Sequence, residues 1–217
     1  MKTKAELKQD LLAQLKFERG QAADGVQIAV TDGAVTLQGS VPSYAEKVAA
    51  VKAVQRVGGV KAITDEIIVR LPDHQKCTDA EIETAAYNAI GWITTVPTES
   101  LEIIVRSGQL TLKGTVENCS QKSVVEDVVR HLAGVTGVTN MIAIKPQPLE
   151  PDVRAAIESA FERHALLDAE KISVEVVGTT VILRGTTSNF AEKDEAEHAA
   201  WLAKGVTGVE NRIVITV

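Results

Sequence analysis

One pattern of glycines recurs three times along the chain. A shift of 75 residues and a further shift of 71 superimpose the pattern's members: Gly33, Gly39 and Gly59; Gly108, Gly114 and Gly134; Gly185 and Gly205. In every copy the last two of these glycines lie 20 residues apart. Repetition at this scale indicates a series of small units with one architecture, and 217 residues suffice for three of them.

Each copy predicts the same order of elements. Apolar residues spaced four apart indicate a first helix, and strict alternation around a two-residue turn then indicates a β-hairpin. Ser43, Asn118 and Asn189, each followed three residues later by Glu or Gln, mark the start of a second helix. A glycine ends that helix and a last strand follows. The sequence therefore predicts an α+β fold of three tandem αββαβ domains, residues 1–72, 73–146 and 147–217, each with two helices on one face of a three-stranded sheet.

The glycines are expected to serve the backbone and not a ligand. "GAVTLQGS" lacks the Gly-Lys-Ser/Thr ending of a phosphate-binding loop, and it joins a turn to a strand where such a loop joins a strand to a helix. Asp65, Asn140 and Asn211 interrupt the last strand at one equivalent place, which predicts a turn or a bulge. Their side-chain oxygens leave a cation site open as an alternative.

Charge and hydropathy exclude two classes of partner. The net charge is −6, divided as +2, −3 and −5 over the three predicted domains, and aromatic residues make up 3% of the chain. Nucleic-acid binding needs basic runs and stacking rings, so no nucleic-acid partner is expected. No apolar run approaches the roughly 20 residues of a membrane helix, and the N-terminus has no secretory h-region. A cytoplasmic protein without a transmembrane segment is the expectation.

Nothing in the sequence predicts catalysis, a metal or a cofactor. Cys77 and Cys119 form no CxxC pair and are expected to be free, partly buried thiols. The histidines do not recur at equivalent positions or at metal-ligand spacing: His74, His131, His164 and His198. Each unit should enclose an aliphatic core of its own, with no shared pocket for chemistry.

A few side chains are candidates for binding a lipid surface or a partner. Lys4, Lys8 and Lys16 flank the leucines of the first helix, in the one domain with positive net charge. Phe17 follows them, and Trp92-Ile93 occupies the equivalent place in the second copy. Trp201 lies outside the inward stripe of its helix. Packing in the core or between domains is the alternative role for all three aromatic residues.

The repeated frame resembles the BON (bacterial OsmY and nodulation) domain. In the first copy the resemblance is carried by Gly33, Val35, Leu37, Gly39, Val41, Ala45-Glu46-Lys47, Gly59-Val60, Ile63, Asp65, Ile67 and Val69. All three copies match, although the third has Gly178 one residue early and Thr187 in place of Val41. The resemblance implies a non-enzymatic module linked to osmotic and envelope stress that binds phospholipid or partner proteins.

Three functions therefore remain open from the sequence. The preferred one is a binding module for anionic phospholipid surfaces or proteins. The alternatives are a potassium-sensing protein, which some BON relatives suggest, and a holdase-like stress chaperone that uses exposed apolar sheet edges.

Overall fold

The computed structural model describes residues 3–19, 25–148, 151–163 and 169–216. Within these ranges the chain forms three successive units of the same order, helix, strand, strand, helix, strand. The first unit consists of α1 (Lys4–Arg19), β1 (Val26–Thr31), β2 (Ala34–Val41), α2 (Tyr44–Gln55) and β3 (Ala62–Val69). The second consists of α3 (Asp79–Gly91), β4 (Leu101–Arg106), β5 (Gln109–Val116), α4 (Cys119–Val129) and β6 (Gly137–Ile144). The third consists of α5 (Val153–Arg163), β7 (Ile172–Val177), β8 (Thr180–Thr187), α6 (Phe190–Leu202) and β9 (Gly208–Ile215).

Each unit has its own three-stranded sheet. The strand orders are β1-β2-β3, β4-β5-β6 and β7-β8-β9, so the second strand is central in every sheet. The first two strands pair antiparallel through a tight turn, and the third returns parallel to the second after the second helix crosses over. The α+β architecture of three repeated units is confirmed.

The interior of each unit is aliphatic and separate from the other two. Three clusters of buried side chains lie between the helices and the inner faces of the sheets. The predicted four-residue spacing is realised in the first helices, whose inward side chains are at most 4% exposed. Phe161 is the one fully buried aromatic side chain among the described residues. Valine, isoleucine, leucine and alanine side chains therefore fill most of these cores, as the low aromatic content requires.

The first two hairpins turn at Asp32-Gly33 and Ser107-Gly108, where both central residues have positive φ. In the third hairpin the positive φ falls on Gly178, at 59°, one position earlier. In this type of two-residue turn only the first central residue has positive φ, and glycine is favoured at that position. This explains why the third copy has its glycine one residue earlier than the other two.

Helix starts follow the predicted capping residues. Thr3 with Glu6 and Thr78 with Glu81 form reciprocal capping boxes. The Asn118 and Asn189 side chains accept from the backbone N–H groups of Gln121 and Glu192, both at 2.9 Å. These local bonds fix where each second helix begins, and hence which residue occupies its first position.

The helices end earlier than the glycine spacing predicts. The second helices finish at Gln55, Val129 and Leu202, so Gly59, Gly134 and Gly205 lie in the turn that leads to the last strand and do not cap the helix. Gly39, Gly114 and Gly185 lie inside the central strands with φ of 123°, 123° and 138°.

The predicted turn or bulge at Asp65, Asn140 and Asn211 is wrong. All three residues lie inside strands that pair without interruption, for example Leu112 with Asn140 and Gly114 with Ile142. The Asn140 side chain accepts from the backbone N–H of Ile142 at 3.1 Å and donates to the Lys122 carbonyl and to Glu126 in α4. A polar residue is tolerated there because its amide fastens the helix to the edge strand.

The same fastening recurs in the other two units. Asn211 donates to the Lys193 carbonyl and to Glu197 of α6. In the first unit Asp65 accepts from the Ile67 N–H and forms an ion pair with Lys47 of α2 at 3.2 Å. These oxygens, which the sequence offers as cation ligands, accept hydrogen bonds from within the unit.

Candidate functional site

Two aromatic side chains stand almost fully exposed at the ends of first helices. Phe17 in α1 and Trp92 directly after α3 occupy equivalent positions, and each is 87% exposed. The neighbouring Ile93 instead packs against the second core. In the third unit the equivalent residue is Arg163, the exposed last residue of α5. Because burying so exposed a ring against a partner would remove a large apolar area from water, both residues are candidates for contact with a partner.

The predicted lysines lie on the same helix as the first of these aromatic residues. Lys4, Lys8 and Lys16 are exposed along α1. Glu18, which follows Phe17, accepts from Gln14 at 2.7 Å and pairs with Arg56 of α2 at 2.8 Å. Because the Glu18 carboxylate is already paired with Arg56, it offsets the positive charge of the nearby Lys16 less than an unpaired carboxylate would. We name Lys4, Lys8, Lys16, Phe17 and Trp92 the helix-end surface.

A second set of functional residues joins the units to one another. The residue at the first position of each second helix is Tyr44, Cys119 or Phe190, and these positions are equivalent in the repeat. Tyr44 packs against the core of the second unit, and Phe190 packs against the core of the first. Cys119 lines a cavity together with residues of the third unit. The three contacts run in the same direction and close into a ring, first unit to second, second to third and third to first.

We call each of these contacts between two units a joint. Tyr44 illustrates how such a joint is built. Its phenol lies beside Glu126 and Arg130 of α4 and is hydrogen-bonded to the backbone of Val138, at the start of β6. Burial in the joint raises the pKa of the Tyr44 phenol above its ordinary value, and the Val138 hydrogen bond partly opposes that rise. The side chain therefore stays neutral, with its ring packed against the second unit and its hydroxyl group hydrogen-bonded.

Trp201 lies inside the joint between the second and third units. It packs against the cores of both and is half-buried. In the repeat its position corresponds to Arg130, so an aromatic side chain replaces the guanidinium that lies beside Tyr44 in the other joint. Its surroundings are those of a joint residue, in contrast to the exposed Phe17 and Trp92.

The second helices of all three units meet at one groove of about 480 Å³. The residues lining it come from α2, α4 and α6: Lys52, Cys119, Lys122, Ser123, Glu126, Asp194, Glu197, His198 and Trp201. The expectation that the units share no pocket is therefore wrong, since the joints bring charged side chains of different copies together. Partial desolvation and the neighbouring Glu197 raise the pKa of Asp194, while Lys193 and Lys52 oppose the rise.

The remaining candidate residues are dispersed. His74 is exposed, and the Nδ1 of His131, just after α4, lies 2.7 Å from the carbonyl oxygen of Asp127 in that helix. His198 lines the shared groove, and His164 lies outside the described residues. Within the part of the chain that the structure describes, no three His, Cys, Asp or Glu side chains cluster at metal-binding distance. Cys77 and Cys119 are free thiols; Cys119 is partly buried as expected, but Cys77 is exposed, so the expectation of partial burial is wrong for it.

Comparison with protein families decides the identity of the repeated unit. The model of the BON domain matches residues 3–70, 78–146 and 150–217, which together cover nearly the whole chain. The chain belongs to the BON domain family. Its three BON domains coincide with the three units of the fold, each with its own sheet and core.

Comparison with individual proteins adds little to the family. No curated protein matches the tandem BON chain at a significant level. Two structures of CdsD, a structural protein of the type III secretion system of Chlamydia trachomatis, are similar at 16% sequence identity. One, of its C-terminal domain, aligns over 96% of this chain and 98% of the other with a TM-score of 0.26. The second aligns over 95% and 92% with a TM-score of 0.27, and similarity this low supports no conclusion about function.

The joint residues were missed by sequence reasoning, although a signal for them was present. Tyr44 and Phe190 are large apolar side chains in a helical first turn, outside the inward stripe of their helices. The repeat shows that these positions are equivalent, and that Cys119 is the third member.

None of the described helices is long and apolar enough to cross a membrane.

Proposed function

We propose that this protein is a non-enzymatic binding module of three BON domains that docks on anionic phospholipid surfaces in osmotic or envelope stress adaptation. The observation that carries the proposal is the pair of equivalent aromatic side chains, Phe17 and Trp92, each 87% exposed. Aromatic rings partition into the interface of a bilayer, where an apolar body and a polar edge are both accommodated.

The charge around Phe17 supports an anionic surface over a neutral one. Lys4, Lys8 and Lys16 lie on the same helix as this ring, in the one domain of net positive charge. Each lysine near an anionic membrane contributes about 1 kcal/mol, and this attraction falls off within a Debye length. A single ring gives weak binding, so two rings and three lysines are the combination that the proposal requires.

We expect the protein to sediment with vesicles that contain phosphatidylglycerol and to bind far less to pure phosphatidylcholine vesicles. The double variant Phe17→Ala and Trp92→Ala removes both rings and should weaken anionic-vesicle binding at least tenfold, since each ring contributes about 1 kcal/mol or more. Raising the salt concentration from about 0.1 M to about 1 M should weaken binding of the unmodified protein, because screening shortens the electrostatic attraction.

A matched control is available on the open faces of the sheets. Met141 and Val214 are each 60% exposed and lie on β6 and β9, away from the helix-end surface. The double variant Met141→Ala and Val214→Ala should bind vesicles like the unmodified protein. Equal binding by both double variants, or equal binding to both vesicle types, would contradict the proposal. A cytoplasmic location, potassium sensing and holdase activity stay predictions of the sequence.

A further inference from the structure

A cavity of about 330 Å³ lies in the joint between the second and third BON domains. Its walls come from the first turn of α4 and the end of β6 on one side, and from the end of α6 and the turn after it on the other. The apolar part of the lining consists of Cys119, Ile144, Trp201, Leu202, Ala203 and Val206. This cavity is separate from the helix-end surface, so an inference about it stands independently of the proposed function.

We propose that this cavity binds a small aromatic carboxylate. At the other two joints, an aromatic ring at the first position of the second helix packs against the neighbouring domain, Tyr44 in one and Phe190 in the other. At this joint the equivalent residue is Cys119, whose short side chain leaves open space beside Trp201. A dry cavity of about 150 Å³ is enough to hold benzene, so this larger one accommodates a substituted ring.

The indole of Trp201 favours an aromatic occupant over an aliphatic one. Stacked or edge-to-face aromatic pairs gain about two- to tenfold in affinity beyond the area they bury. Burial raises the pKa of the Cys119 thiol, so this side chain stays neutral near pH 7 and presents an apolar wall to the ring.

The charged part of the lining favours an anion. Glu117 is neutralised by Lys145, whose Nζ lies 2.7 Å from a carboxylate oxygen, and it also accepts from Gln147 at 3.3 Å. With that pair compensated, Lys204 leaves the lining one net positive charge. The start of α4, an 11-residue helix, adds the positive end of a helix dipole on the same side. An aromatic ring with one negative group therefore satisfies both halves of the lining.

The test is a titration of the full chain, followed by calorimetry, with three probes of similar size. Benzoate carries both the ring and the charge, cyclohexanecarboxylate carries only the charge, and benzyl alcohol carries only the ring. We expect benzoate to bind. Each of the other two probes should bind at least about fivefold more weakly than benzoate. Equal affinity for benzoate and cyclohexanecarboxylate, or no binding of benzoate, would overturn the proposal.

Variants locate the binding in this cavity. Cys119→Phe restores the aromatic residue of the other joints, and it should reduce benzoate affinity at least tenfold by occupying the space. Cys119→Ala leaves the space open and should retain the affinity, which separates loss of room from loss of the thiol. Lys204→Gln should weaken benzoate about threefold or more, whereas Lys61→Gln, the same charge change on an exposed lysine of the first domain, should have no effect. Benzoate binding that is unchanged in Cys119→Phe and Lys204→Gln would place the site elsewhere and refute the assignment.

Discussion

Replacing Gly114 with alanine is expected to destabilise the second BON domain strongly. A Cβ at this position would overlap the carbonyl oxygen of Ser100, and the backbone φ of 123° is one that L side chains rarely adopt. Strained backbone and overpacking each cost about 1–3 kcal/mol, so the combined loss of stability should be about 2–6 kcal/mol. A small domain with a stability of about 5 kcal/mol would lose a large part of it.

Hydrogen exchange followed by mass spectrometry reports this loss domain by domain. Peptides of β4, β5 and β6 should lose protection in Gly114→Ala, while those of β1 and β2 should keep it. The control is Gly91→Ala at the end of α3, where a Cβ meets no atom within 4 Å and φ lies outside the positive range. That variant should be neutral or stabilising by up to about 1 kcal/mol. Retained protection in β4–β6 of Gly114→Ala would show that the close approach to Ser100 is misplaced.

Replacing Phe161 with alanine is expected to destabilise the third domain strongly and leave the core of the second intact. Phe161 is 0% exposed and is the largest fully buried side chain of the described residues. Removing a buried phenylalanine costs about 3–5 kcal/mol through lost burial and the cavity left behind. Because its contacts are within the third cluster, the loss should appear in α5 and in β7–β9.

The same substitution at the surface provides the control. Phe17→Ala removes a ring that is 87% exposed, and its effect on stability should stay within about 0.5 kcal/mol. Denaturant melts followed by hydrogen exchange distinguish the two outcomes. An equal loss of protection in α3 and β4–β6 of Phe161→Ala would mean that the three cores are not separate.

Much of the fold could be predicted because its signals are local. The alternation in β1, the two-residue hairpin turns and the side-chain caps at Ser43, Asn118 and Asn189 depend only on residues a few positions apart. Their threefold recurrence reinforced each signal, since chance does not repeat a spacing of 20 residues in three places.

The interpretation of Asn140 failed because its partners are distant in the sequence. A lone asparagine in a strand is more often found at a turn or bulge, and the sequence alone does not reveal the hydrogen bonds to Lys122 and Glu126. Asn211 repeats the arrangement with Lys193 and Glu197, which are the equivalent residues. Comparing the helix positions of the two copies would have shown that an amide and a glutamate recur together.

The candidate surfaces were predictable to different degrees. Arg163 is the third-copy equivalent of Phe17 and Trp92, and this comparison, which the sequence reasoning did not make, would have indicated an exposed position. Trp201 lay outside the helical stripe, which left an inter-domain position open, but its partner domain was unknown. The domain that each joint residue contacts could not be predicted, because the sequence gives no information on how one unit lies against the next.

Three BON domains with separate cores close into a ring, and the contact between the first and third domains tests this arrangement most directly. Lys52 of α2 and Asp194 of α6 line the same groove although 142 positions separate them. In a background with Cys77 and Cys119 replaced by serine, the double variant Lys52→Cys and Asp194→Cys should react with a short bismaleimide to give an internally cross-linked monomer. A control pair at Lys8 and Asp194, with Lys8 on the exposed side of α1, should not cross-link efficiently. Cross-linking of the first pair is the predicted result, and an uncross-linked monomer at both pairs would show domains arranged without the closing contact.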